Sequence, residues 1–332
     1  MQLIADLDAV PSHLQGTVVA IGKWDGVHVG HQAIIRALVA EARSGGAQSV
    51  VMGFHPLPMA VLRPNEAPPM IQTLAERAEF LAAMGVDLHL ALPFDLDFAA
   101  MEPEDYIQQV LVERLRPRAV LVGFNHTFGR GGRGTVGLLK QQLGAQGIAV
   151  RIFDPVRVAG ESVSSTEVRF HASQGDMAHC KHLLGRPLSI TGQVQHGDKR
   201  GRAIGFPTAN IALGERRQLP ASGVYVARVT LLDGESCMMP PCEVRYRTGS
   251  VYGGMLNLGT RPTVHGSDLR CEVHLFDFQG DLYGRELRVE FLHRLRGEKA
   301  FGSLDGLRAQ LAIDEAAARA FLAGGDPSKV EG

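Results

Sequence analysis

A change of rhythm near residue 185 restricts this chain more than any other feature. Before it, short apolar runs at 17–23, 48–54, 87–92, 119–124 and 148–153 are bounded by Gly or Pro and alternate with helix patterns. Buried parallel strands and their crossovers read this way. Thr73 and Glu76 form a capping box ahead of a helix over 74–84, and Gly85 stands where a C′ glycine belongs. Pro103 suits the first turn of a further helix running to about Arg116. The alternation predicts an α/β domain with a mostly parallel sheet, whose ligands gather at the carboxyl ends of its strands.

Beyond 185 the strand patterns at 189–195, 223–232, 254–259, 269–276 and 288–293 follow one another through Gly-rich turns without helices. That predicts antiparallel pairing and a small β-barrel. One helix over 303–323 closes the chain, with Ser303 as N-cap and Leu304, Leu307 and Leu311 at helical spacing. The expected domains are 1–184 and 185–323, joined by a short linker at 185–189 and followed by a frayed tail at 324–332. A length of 332 residues agrees with two cores.

Lys plus Arg number 34 against 35 Asp plus Glu, so bulk charge supplies no reason to expect nucleic acid or a membrane surface as partner. No apolar run approaches the roughly 18 residues of a membrane span. The first ten residues carry Asp6 and Asp8 and no basic stretch, so no signal peptide is expected. Cys180, Cys237, Cys242 and Cys271 fit neither a zinc ribbon nor a C-x-x-C pair, and they are too few for a disulfide framework. Free thiols in a reducing cytoplasm are expected, although Cys237 and Cys242 are close enough in sequence to meet in one loop.

In the first half, chemistry concentrates in Gly22-Lys23-Trp24-Asp25-Gly26-Val27-His28-Val29-Gly30-His31, directly after the first strand. His28 and His31 at a helix N-terminus can present N–H donors to a phosphate, with Gly30 letting it approach the backbone and Gly22 and Asp25 on the same side. One histidine alone would read as core; two at H-x-G-H spacing read as a site. Ser164, Ser165 and Thr166 cap a later helix with Arg169 one turn on, a second anion-binding pattern. The loop Gly123-Phe124-Asn125-His126-Thr127-Phe128-Gly129-Arg130 follows a strand, and Asn125, Phe128 and Arg130 suit the holding of a planar ring.

The second half carries a denser signal. Gly197, Gly201 and Gly205 are evenly spaced before Pro207-Thr208-Ala209-Asn210. Such glycines let a backbone fold over phosphates. Thr208 and Asn210 are hard oxygen donors of the type that holds Mg²⁺ between ATP phosphates. Further on stand 257–263, 271–277 and Asp281-Leu282-Tyr283-Gly284.

The first-half clusters resemble the adenylyltransferase module of the bifunctional bacterial FAD synthetases (riboflavin kinase/FMN adenylyltransferases), over about 18–182. That resemblance implies a Rossmann-like nucleotidyltransferase domain that joins FMN to ATP. The chain departs from the family pattern at Lys23 and Trp24, at His55 in an acidic place and at Leu57 in a histidine place. FMN brings its own nucleophile, a largely dianionic phosphate, so attack on the ATP α-phosphate needs no general base. Positioning and charge neutralisation by His28, His31 and the Ser164–Thr166 hydroxyls would carry the step.

The second-half series resembles the riboflavin kinase module over about 185–319, which implies a six-stranded antiparallel barrel with a terminal helix. In riboflavin phosphorylation the nucleophile is an alcohol, so a carboxylate must accept its proton. The resemblance puts that base at Glu272, with Cys271 and Val273 facing the opposite way by strand alternation. It also puts Arg296 and Phe301 beside the flavin ring. The stretch 237–250 is longer than in the family and is expected to form an exposed hairpin loop. Implied partners are riboflavin, FMN and ATP with Mg²⁺, in a monomer or weak homo-oligomer. One competing reading is a kinase whose first domain is weakened or repurposed. Another is a non-catalytic flavin- or RNA-binding regulator, against which stand the charge balance and the intact Thr208, Asn210 and Glu272.

Overall fold

The computed structural model describes residues 1–325 except His13, Ala159, 198–200, 202–203, Glu215, Met238 and 264–265; for 260–269 only the backbone is described. The expected frayed tail falls almost wholly on 326–332, outside the described residues. The chain forms two compact units, Met1–Ser165 with Glu235–Tyr246, and Thr166–Gly234 with Arg247–Gly332.

The first unit is built on β1 (Gln2–Ile4), β2 (Thr17–Ile21), β3 (Ser49–Phe54), β4 (Leu88–Leu92), β5 (Pro117–Gly123) and β8 (Ala149–Phe153). Between β5 and β8 lies the short hairpin β6 (Thr127–Phe128) and β7 (Gly134–Thr135), and after β8 the hairpin β9 (Arg157–Val158) and β10 (Glu161–Ser162). The sheet order is β14-β1-β4-β3-β2-β5-β8, parallel throughout except at the edge strand β14 (Cys242–Glu243). Every residue of β2 is buried, as both faces of a covered parallel sheet require. Val19, Ile21, Val50, Met52, Leu90 and Val120 fill one face. Val18, Ala20, Val51, Ala119 and Leu121 fill the other, under α1 (Val29–Ser44). The chain leaves β2 toward β3 on one side and returns to β5 on the other, so a switch point opens at the carboxyl end of β2.

The helix Leu74–Ala83 has the expected capping box, with Thr73 accepting from the Glu76 N–H and Gly85 at φ 82° after its end. The helix expected from Pro103 is different in kind. Only Pro103–Asp105 is α-helical, and Tyr106–Leu115 is a π-helix that ends with the Arg116 N–H on the Leu111 carbonyl, 3.0 Å away. Tyr106, Ile107, Val110, Leu111 and Leu115 are its buried residues.

The second unit holds the closed barrel β11-β12-β16-β15-β13-β17, antiparallel throughout. Its strands are β11 (Leu188–Gln195), β12 (Ala209–Ile211), β13 (Gly223–Leu232), β15 (Gly249–Thr263), β16 (Gly266–Leu275) and β17 (Glu286–Arg296). The helices α7 (Ser165–Gln174) and α8 (Met177–Leu184) precede it, and Leu304–Leu322 closes the chain with Ser303 capping the Gly306 N–H. Leu304 does not join the apolar face of that helix but is 69% exposed; Leu311, Ala318 and Phe321 pack on Val226 and Met255 instead.

Two expectations about 237–250 are overturned. Cys237 and Cys242 are joined as a disulfide, where free thiols were expected; only Cys180 and Cys271 are free. Nor is the stretch simply an exposed hairpin: β14 pairs antiparallel with β1, and Val244 is buried among Leu3, Ala78 and Ala91. Without β14 the short strand β1 would be the edge of the sheet with unpaired backbone groups; β14 pairs with them and takes the edge itself.

Candidate active sites

At the carboxyl end of β2 the chain turns sharply, with Trp24 and Val27 at φ 55° and 37°. Trp24 is buried and donates its indole N–H to the Met52 carbonyl at 2.7 Å, so the indole is accommodated inside the turn. A Cβ on Gly22 would meet that ring at 3.0 Å, and one on Gly30 would meet the His28 imidazole at 3.1 Å. These glycines therefore make room for side chains of the motif itself.

His28 is the N-cap of α1, and its Nδ1 accepts from the His31 N–H at 3.3 Å. Its proton must then sit on Nε2. The two rings stack with centroids 3.7 Å apart. His31 is held well below the usual imidazole range by burial, then by His28 and Arg77, and its Nδ1 has no hydrogen-bond partner among the described residues. Burial therefore favours its neutral form in the free protein, in which the ring can donate a hydrogen bond.

Charge comes from Arg77, which the sequence analysis did not single out. It is 4% exposed, and burial lowers it to about 10 against the opposing influence of Asp25, so it stays cationic. One guanidinium nitrogen donates to the Lys23 carbonyl at 3.2 Å. Asp25 spends Oδ1 on the Ile71 and Gln72 N–H groups at 3.0 and 3.4 Å, and its carbonyl receives the Ser165 hydroxyl at 2.8 Å. These bonds bring Gly22, Asp25, His28, Gly30, His31 and Ser165 to one place. Ser164 is half-buried just before; Thr166 and Arg169 follow on α7, in the second unit.

His55 is also held low, by burial and then Arg77, and Leu57 caps the short helix Pro58–Leu62 without a side-chain bond. Of the ring-holding loop, Asn125 is exposed. Phe128 is buried in the core against Tyr106 with centroids 5.1 Å apart, and Arg130 pairs with Glu102 at 3.3 Å. Phe128 therefore offers no open platform. His126 stacks on Phe128 with centroids 5.7 Å apart and is lowered to about 4 by burial and then by Lys23.

In the second unit, β12 sets Asn210 directly opposite Glu272 on β16. The cross-strand row continues through Asn257 opposite Glu272, Val224 opposite Asn257 and Arg296 opposite Val224. Cys271 and Val273 are buried and Glu272 is not, as strand alternation predicted. Arg270 lies 3.7 Å from the Glu272 carboxylate. Gly197 and Gly201 lie close to this segment: a Cβ on Gly197 would fall 2.1 Å from the Asn210 carboxamide nitrogen, and one on Gly201 would fall 2.3 Å from the Phe206 carbonyl and 3.4 Å from the Thr208 hydroxyl. Gly205 turns the chain at φ 88°. His274, two residues beyond Glu272, contacts the Pro207 carbonyl at 2.7 Å and so pins the Pro-Thr-Ala-Asn segment. Arg296 is engaged by the buried Asp314 at 2.6–3.1 Å, and its guanidinium carbon lies 5.8 Å from the Phe301 ring centroid.

The model of the FAD synthetase family matches residues 10–167, and that of riboflavin kinase matches 184–322. A protein of Escherichia coli K12 named bifunctional riboflavin kinase/FMN adenylyltransferase is 39% identical over 309 residues, 93% of each chain. The chain belongs to this family. Other members of the bifunctional riboflavin kinase/FMN adenylyltransferase family include that of Pseudomonas fluorescens, 38% identical over 97% of this chain and 98% of its own. The member from Bacillus subtilis is 32% identical over 90% of each. A solved structure from Streptococcus pneumoniae, described as a macrolide-efflux protein, superposes with a TM-score of 0.82 at 32% identity, covering 96% of this chain and 98% of that one. Among the described residues no helix is long and apolar enough to cross a membrane.

Proposed function

We propose that the chain phosphorylates riboflavin to FMN in its second unit and adenylylates FMN to FAD in its first, using ATP in both steps. The observation that carries the kinase reading is the ladder pair of Asn210 and Glu272, with Gly197 close against Asn210. Glu272 accepts the proton of the riboflavin 5′-hydroxyl as its oxygen bonds to the ATP γ-phosphorus and ADP leaves. Thr208 and Asn210 would hold Mg²⁺; both are hard oxygen donors, and they border a cradle that a Cβ at Gly197 or Gly201 would fill. When bound, the ion offsets phosphate charge. Arg296, fixed by Asp314, positions Phe301 toward the flavin side.

In the first unit the FMN phosphate oxygen bonds to the ATP α-phosphorus and pyrophosphate departs, with no proton to remove. His28 and His31 donate to the phosphates as neutral imidazoles, while Arg77 and Lys23 supply positive charge. Ser164 is a proposed phosphate contact, and Asn125 and Arg130 are proposed flavin contacts. Leu57, standing where the family pattern has a histidine, favours a slower adenylyltransferase than the kinase. The proposed compartment is the cytoplasm and the proposed state a monomer or weak homo-oligomer, with no nucleic-acid partner.

Incubation of the full chain with riboflavin and Mg-ATP, followed by separation of the flavins, tests this. Accumulation of FMN with slower appearance of FAD is expected. Unchanged riboflavin would overturn the kinase reading, and FMN without FAD would overturn the adenylyltransferase reading.

A further inference from the structure

The segment Glu235–Tyr246 lies between β13 and β15 in sequence but belongs to the first unit, and neither reaction draws on it. It carries the disulfide between Cys237 and Cys242. Cys242 is also the first residue of β14, where it stands opposite Leu3, with Glu243 opposite Gln2. One residue further, the Val244 N–H donates to the Met1 carbonyl at 2.8 Å, and the Met1 ammonium donates to the Val244 carbonyl at 3.3 Å. The disulfide therefore closes directly onto the strand that covers β1.

The size of the ring separates two accounts of this bond. A structural staple acts chiefly by restricting the unfolded chain, and its effect grows with the length of the loop it closes. Cys237 and Cys242 are only five positions apart, so the bond is a weak staple for the fold as a whole, while the shape of the segment itself depends on it.

Nor is the bond shut away from solvent. Both cysteines are half-buried, Pro241 and Glu243 on either side of Cys242 are exposed, and Met239 inside the ring is 82% exposed. A groove of about 630 Å³ runs along Met1, Gln2 and Asp87 to Pro241, Cys242 and Glu243, which gives a small thiol room to approach. The other two cysteines offer no competing chemistry. Both are buried; burial pushes the Cys180 thiol up to about 12 and raises that of Cys271 as well, so neither supplies a thiolate. In the cytoplasm, the proposed compartment, small thiols reduce exposed disulfides.

We propose that Cys237 and Cys242 form a reversible thiol–disulfide exchange site for a small thiol of the glutathione type, and that the exchange sets how firmly β14 pairs with β1. One small thiolate attacks a sulfur of the bond, giving a mixed disulfide and releasing the other cysteine as a thiolate. A second small thiolate then attacks the mixed disulfide. Two small thiols are thereby oxidised to one small disulfide, and the protein bond takes up two electrons and two protons to become two thiols. The reverse reaction, with the small disulfide as oxidant, restores the bond.

The test equilibrates the full chain in glutathione buffers from fully reduced to fully oxidised, traps free thiols with iodoacetamide and locates the label by mass. Cys237 and Cys242 should gain and lose label together, reversibly, across the series. Amide hydrogen exchange then compares the two forms. In the reduced form, peptides covering 1–5 and 240–246 should exchange at least about 10-fold faster, while peptides of β2 and β3 stay unchanged and report that the unit is folded. Cys237→Ser should exchange like the reduced form in either buffer. A bond that survives excess reduced glutathione, or that never forms in the oxidised buffer, would overturn the exchange site. Equal exchange of 1–5 and 240–246 in both forms would overturn its hold on β14.

Discussion

Asn210 and Glu272 face each other as one pair of the β12–β16 ladder, which puts a hard oxygen donor and a carboxylate side by side on the same barrel face. Directly opposite residues in an antiparallel pair have Cβ atoms roughly 4.5–5.5 Å apart. A hydroxyl bound between them can meet its base and its phosphate together. Glu272→Gln should therefore keep the shape and lower the kcat of FMN formation by roughly 10²–10⁴-fold, with FAD formation from supplied FMN unchanged. Near-normal riboflavin phosphorylation by the variant would remove Glu272 from the mechanism.

Leu57 stands where the family pattern has a histidine and caps its helix with no side-chain bond. Leu57→His should add about one charge-assisted hydrogen bond to a phosphate, a gain of roughly 10–100-fold in FAD formation at saturating FMN and Mg-ATP. Kinase activity serves as the control for folding. If the parent is already fast and the variant no faster, that imidazole has no role here.

Acid should weaken the first unit early. His31, His55 and His89 are held below the ordinary imidazole value, chiefly by burial, and His126 is held at about 4. In the unfolded chain each titrates near about 6.5. Their depressed values mean that stability is complete above about 6.5 and is lost as pH falls, because the unfolded state binds the extra protons. The well-buried His31, His89 and His126 each contribute a slope of up to about 1.4 kcal/mol per pH unit until the folded value is reached, and the more exposed His55 contributes less. Trp24, the one tryptophan, is buried in this unit, so its fluorescence in denaturant titrations between pH 7 and 5 reports the effect. His89→Leu should flatten the profile by one proton; both its ring nitrogens lack partners among the described residues. A midpoint that does not move with pH would contradict the assignment.

The barrel unit should function alone, but not as cut at 185. α7 and α8 cluster with it, and Met177, Cys180, Leu183 and Leu184 are buried. A fragment beginning at Thr166, with 235–246 replaced by a short Gly-Ser turn, keeps the β13–β15 ladder from Leu232 opposite Gly249 onward. It should be soluble and make FMN at a rate within a few-fold of the full chain. An insoluble fragment would show that the barrel depends on the first unit.

Local pattern carried much of this into view beforehand. Thr73 and Glu76 mark a helix start because both bonds of a capping box close within four residues. Glu272 could be assigned to the less buried face because Cys271 and Val273 beside it alternate with it along one strand. The π-helical turn at Tyr106–Leu115 was less legible, since its apolar residues also satisfy a loose α-helical pattern. Leu304 misled for the converse reason: its spacing fits the helix, but its side chain is exposed.

The sequence by itself determined the two kinds of sheet, the H-x-G-H turn at a strand end and the glycine loop before Pro-Thr-Ala-Asn. Each of these is written in spacings of a few residues, where covalent geometry ties pattern to shape. Only the tertiary structure decided that Ser165 reaches Asp25 across 140 positions, that Arg77 supplies buried charge beneath the histidines, and that β14 completes the sheet edge beside β1. Such partnerships depend on which surfaces pack and in what register. Those free energies are sums over many weak contacts between distant segments, and no local period records them.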